Sequence, residues 1–145
     1  MIYLDIRRVN MKKIYSQIDP DLLLAQINRL KDTHQGKLQL SDPKEFLQVG
    51  TMALGPGEHI PAHKHMWKEG GKTITQESWI VIQGSIKGVF YDTNDTVIGE
   101  DTLYPGDCFI NYYGGHSLTS LEPNTIFYEI KTGPYQGRES DKIDI

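Results

Sequence analysis

From residue 47 onward the chain alternates apolar and polar positions in short runs, rich in β-branched and aromatic residues and separated by Gly, Pro, Asn and Asp. That period of two predicts strands at 47–54, 58–65, 77–83, 85–92, 96–103, 107–111, 116–121 and 125–131. Thr93-Asn94-Asp95 suits a tight hairpin, and Tyr104-Pro105-Gly106-Asp107 a turn with proline and glycine at its centre. Short strands at such spacing predict an all-β antiparallel sandwich or small barrel. Ahead of it the pattern changes. Residues 2–6 alternate as a short strand. Asp19-Pro20-Asp21 then reads as a helix start, with Leu23, Ile27 and Leu30 at helical spacing. A short N-terminal helix over 20–31, packed on the sheet, is expected. The chain thus divides, within one domain, into an N-terminal strand and helix (1–46), a β-barrel (47–131) and a C-terminal surface tail (132–145).

Composition narrows the class. A length of 145 residues suits one core, and a net charge of −4 argues against a nucleic-acid surface. The single cysteine, Cys108, permits no internal disulfide and fits a reducing compartment. Its alternation with Ile110 reads as a small core residue. No apolar run is long enough for a membrane span, and the first ten residues lack a secretory pattern. The expectation is a cytoplasmic protein with no membrane and no nucleic-acid partner.

The chemistry concentrates in Gly57-Glu58-His59-Ile60-Pro61-Ala62-His63-Lys64-His65. On a strand His63 and His65 point to one face, where both can offer lone pairs to one metal ion. Glu77 opens a strand whose alternate members, Trp79 and Val81, are apolar. A carboxylate on that face is costly to bury unless it is paired or metal-bound. His116 heads another strand. Metal ligation by His63, His65, Glu77 and His116 is therefore expected, with Gln76 replacing Glu77 if the register slips by one. Such a set suits one divalent transition metal (Fe, Mn, Ni, Co or Zn) without choosing among them. By parity His59 shares the face of His63, about 13 Å along the strand, and reads as a catalytic base or a rim histidine. Tyr112 and Tyr113 line a pocket mouth or pack the barrel end, and Tyr113 is a second proton-transfer candidate. The long 66–76 stretch, with Trp67 and Gly70-Gly71, reads as a lid or a protruding hairpin.

The spacing of Gly57, His63-Lys64-His65, Glu77 and Gly84 resembles the first signature of the cupin superfamily. Gly106-Asp107 with Gly114-Gly115-His116 resembles the second. The resemblance covers roughly residues 47–131 and implies a cupin-type barrel (double-stranded β-helix, or jelly roll). The small size and the closing Glu129-to-Tyr135 segment are similar to single-domain cupin metalloproteins associated with surface-polysaccharide and sugar modification. That likeness favours an isomerase, epimerase or lyase acting on a small oxygenated molecule such as a sugar. The alternatives are an Fe(II)-dependent dioxygenase and a binding module without turnover. Lys64, Lys68, Lys72 and Lys87 are available to a charged ligand or are simply solvated. Ile2, Leu22, Leu23 and Leu24 exceed the needs of one small barrel, so the N-terminal segment is expected to cover a neighbour's sheet in a homodimer, the alternative being that it caps its own barrel edge.

Overall fold

A computed structural model describes residues 11–33 and 35–145, and the strand expected at 2–6 lies outside them. The strands in chain order are β1 (Lys12–Tyr15), β2 (Leu23–Ile27), β3 (Gly36–Gln39), β4 (Leu47–Leu54), β5 (His59–His65), β6 (Trp67–Lys68) and β7 (Thr73–Ile74). They continue with β8 (Glu77–Gln83), β9 (Ile86–Tyr91), β10 (Val97–Leu103), β11 (Cys108–Asn111), β12 (Gly115–Ser120) and β13 (Thr125–Thr132). A four-residue helix, α1 (Arg138–Asp141), precedes the last strand, β14 (Lys142–Asp144).

The eight strands expected between 47 and 131 are all present, each within a residue or two of its predicted bounds. Together with β3 and β14 they form two five-stranded antiparallel sheets, ordered β10-β9-β12-β5-β14 and β11-β8-β13-β4-β3. The architecture is a β-sandwich of two separate sheets rather than one closed barrel. Apolar positions at period two fill the space between the sheets: Met52 and Leu54, Trp79 and Val81, Leu118 and Phe127 are all buried. Strand β8 shows the rule cleanly, since Glu77, Trp79 and Val81 are buried while Ser78, Ile80 and Ile82 are half-buried.

The expected helix over 20–31 is not formed. Leu23–Ile27 is strand β2, paired with β1 in a hairpin, and only a single 3₁₀ turn follows at Leu30–Asp32. Asp19-Pro20-Asp21 is turn chemistry here and not a helix cap. The Ser16 hydroxyl accepts the N–H groups of Ile18 and Asp19, and Leu22 N–H donates to the Asp19 carbonyl. A run of leucines is compatible with either state, so the neighbouring strand decides.

The C-terminal segment also departs from expectation. It is exposed along most of its length, yet β14 pairs with β5, and Asp141 is buried. The 66–76 stretch is a small hairpin, β6 against β7, with Gly70 in the left-handed region at its tip.

Candidate metal centre

Three strands deliver the expected ligands. His63 and His65 come from β5, Glu77 opens β8, and His116 sits on β12 directly opposite His63. Directly opposed residues of an antiparallel pair share a face. His116 depends on the glycines before it. Gly114 has φ +78, and a Cβ there would strike the Tyr91 carbonyl, so only glycine lets the chain enter β12 at this point. The slip to Gln76 does not occur: Gln76 stands outside the group, its N–H donating to the Thr132 hydroxyl.

One donor atom from each of His63, His65, Glu77 and His116 lies within 4.8 Å of every other, and all four residues are buried. The Nε2 of His65 donates to Glu77 Oε2 at 3.0 Å. The Nε2 of His116 lies 2.6 Å from Glu77 Oε1, but the contact is off the hydrogen-bonding direction, and neither atom gains a bond. The Nδ1 of His63 donates to the Pro61 carbonyl at 2.8 Å, which fixes the tautomer and leaves the Nε2 lone pair free. Trp79 meets His116 edge-on at 4.8 Å, and Phe109 at 5.9 Å, giving the centre an apolar wall.

The electrostatics are divided. Burial, with His116 and Lys142 nearby, lowers His63 to a pKa of about 4, so it is a neutral donor at pH 7. For His65 burial also favours the neutral ring, but Asp141 and Glu77 outweigh it and raise the pKa to about 9. Burial pushes the Glu77 carboxyl up, yet the adjacent His116 and His65 hold it well below the usual carboxylate range.

Several buried atoms in this cluster have no hydrogen-bond partner among the described residues: Glu77 Oε1, His65 Nδ1 and both ring nitrogens of His116. Each such orphan costs about 1–3 kcal/mol, and a cation relieves those that coordinate it. Three imidazoles and one carboxylate, converging and buried, suit one divalent metal ion.

Sequence reasoning missed Asp141. Its carboxylate accepts from the Thr75 hydroxyl at 2.8 Å, from Lys131 at 3.2 Å and from Lys68 at 3.3 Å, and lies 3.6 Å from His65 Nδ1. Burial opposes the charge, but His65, Lys131 and Thr75 hold the carboxyl far below its ordinary range. It stands behind a candidate ligand, where a carboxylate orients an imidazole. No periodicity marks it, because it sits in a helix of four residues.

Two expected residues are not brought to the cluster. Between His116 and Leu118 on β12 the partner strand advances from His63 to Ile60, one residue more. This bulge at Pro61-Ala62 reverses the alternation: Ile60 packs on the core, and His59 is exposed, its ring bonded to the Thr119 hydroxyl at 2.9 Å. Tyr113 is exposed and stacks on Trp67, with centroids 6.0 Å apart, so the two aromatics brace the β6–β7 hairpin. Tyr112 is likewise exposed. Cys108 is exposed and is no core residue, because Phe109 and Asn111 take the inward positions of β11. Among the surface lysines, Lys64 pairs with Asp95, and Lys87 with Glu100.

By sequence, the chain matches no family model and no curated protein. Its structure resembles cupin-fold proteins. Oxalate decarboxylase from Bacillus subtilis aligns with a TM-score of 0.58 and 21% identity over 79% of this chain and 30% of that one. KdgF from Halomonas sp. aligns at 0.52 and 17%, over 66% of this chain and 76% of that one. Peruvianin-I, a cysteine peptidase from Thevetia peruviana latex, aligns at 0.53 and 20%, over 69% and 56%. The chain therefore spans under a third of the decarboxylase and somewhat over half of peruvianin-I. The fold these likenesses define is that of the cupins. No helix among the described residues is long and apolar enough to cross a membrane.

Proposed function

We propose that the protein is a mononuclear metal-binding cupin acting on a small oxygenated molecule, such as a sugar derivative, in an isomerase, epimerase or lyase reaction. The observation that carries this reading is the convergence of His63, His65, Glu77 and His116 with buried atoms left unpartnered. A divalent ion held there would polarise a carbonyl or hydroxyl oxygen. The chain's own part is to hold the donors rigidly, exclude water through Trp79 and Phe109, and keep His63 in its donor tautomer. Oxalate decarboxylase, a neighbour in fold, has Mn(II) centres, which makes manganese the first ion to test. With His59 and Tyr113 outside the cluster, proton transfer falls to ionisable groups that face the interior.

Elemental analysis of the purified protein tests the reading. One divalent metal per chain is expected, lost in His63→Ala and in His116→Ala, and metal content unchanged in both variants would refute it. Solvent-deuterium exchange into a panel of sugars and hydroxycarbonyl compounds tests the reaction class. We further propose that two copies pair through the exposed apolar side chains of the N-terminal hairpin, Ile18, Leu22 and Leu24. Light scattering that finds only the 16.5 kDa species would exclude the pair.

A further inference from the structure

Beside the four-residue cluster, between the two sheets, lies a cavity of ≈ 50 Å³. That volume admits roughly three to five water-sized groups. Its polar lining is Lys37, His63, Glu77, Glu129 and Lys142, and its apolar lining includes Trp79 and Leu118. The strand register explains how cations come to face a buried space. Lys142 on β14 stands opposite His65 and shares its inward face. Glu129 on β13 stands opposite Trp79, and Lys37 on β3 opposite Met52. Each of these charged residues occupies a position at which its strand turns inward.

The two lysines and two glutamates balance in formal charge but are unevenly paired. Lys37 donates to Glu129 at 2.9 Å, and both side chains are largely shielded. Lys142 is half-buried, and its ammonium has no ion pair or hydrogen bond among the described residues. Burial makes that charge harder to hold, with Glu129 opposing the effect and Lys37 adding to it. A divalent ion at the cluster would outweigh the single charge of Glu77, so the cavity is positive overall once the ion is present.

We propose that this cavity takes the head group of a small oxyacid, its carboxylate paired with Lys142 and the adjacent hydroxyl or carbonyl oxygen turned toward the His63 and Glu77 side. The inference rests on the metal-binding reading above and narrows its substrate class from oxygenated molecules in general to 2-hydroxy and 2-oxo acids. The space suits a head group of a few heavy atoms, whereas a whole sugar ring exceeds it. Carboxylate is favoured over phosphate because its three heavy atoms fit a space of ≈ 50 Å³ more readily than a tetrahedral phosphoryl group with its ester oxygen.

The test uses the Mn(II)-loaded full chain and titration calorimetry with pyruvate and lactate against their neutral counterparts, hydroxyacetone and propane-1,2-diol. The acids should bind at least tenfold more tightly than the neutral compounds. Lys142→Met should remove that preference, a loss of roughly tenfold or more, and Lys142→Arg should restore part of it. Metal content of the Met variant, measured alongside, should stay at the wild-type value. Wild-type protein that carries its ion but binds hydroxyacetone as tightly as pyruvate overturns the oxyacid inference alone. The same inference fails if Lys142→Met keeps both its ion and the preference for acids. Wild-type protein that holds no ion overturns the metal-binding reading and this inference together.

Discussion

Strands β5 and β8 carry three of the four candidate ligands, and they keep the two-residue period to very different degrees. Along β8 the inward face runs unbroken from Glu77 through Trp79 to Val81, so a parity argument made anywhere on the strand holds throughout it. Along β5 it holds from His65 to His63 and then fails at Pro61-Ala62, where one extra residue turns His59 outward. Face assignments by counting are therefore local. They survive only as far as the next bulge, and proline, which has no N–H to give a ladder, is a natural place for one.

The largest effect expected from this contrast is on metal content. His63→Ala and Glu77→Gln should each reduce bound metal from one ion per chain to about a tenth or less, consistent with lost ligands, whereas His59→Ala should leave it unchanged. Elemental analysis of the three variants would break the comparison if His59→Ala also emptied the site. Next in size is Gly114→Ala, which forces an L-residue into the left-handed region against the Tyr91 carbonyl. It should cost about 2 kcal/mol or more in urea unfolding.

Asp141→Asn should weaken metal binding by roughly 10- to 100-fold through loss of orientation at His65, read by competition with a chromogenic chelator. An unchanged affinity would reduce Asp141 to a structural anchor for the tail. The smallest effect is on pH dependence. The folded pKa of His65, about 9, is raised above its ordinary 6.5. Its contribution to the ion-free protein is therefore fully present below pH 6.5 and is lost as pH rises toward 9. His63 has the opposite sign: its pKa of about 4 means stability present above pH 6.5 and lost as pH falls toward 4. The melting temperature of ion-free protein should thus decline on both sides of about pH 6.5. Bound metal should flatten the alkaline decline, since it keeps His65 deprotonated.

What the sequence made legible follows from the same contrast. Between 47 and 131 each strand buries one face, so alternation records both its existence and its direction. Glu77 is readable because Trp79 and Val81 share its face, and His116 because it heads a strand and completes the Gly114-Gly115-His116 signature. The N-terminal hairpin was misread because Leu22-Leu23-Leu24 satisfies helix and strand alike, and the choice was made by pairing with β1. Cys108 failed by one position, as alternation alone does not say which of Cys108-Ile110 and Phe109-Asn111 turns inward. Lys37, Glu129, Asp141 and Lys142 were illegible for a different reason. Their roles depend on charges supplied from remote stretches of chain, and no local pattern records such a meeting.

The pairing of β14 with β5 has a practical consequence. A protease cut after Gly137 would release at once the strand bordering both histidines, the carboxylate behind His65 and the ammonium facing the cavity, while baring the hydrogen-bonding edge of β5. Nicked material should lose its ion and begin to stick to itself together, so the last stretch of chain behaves as a latch whose release disarms the protein.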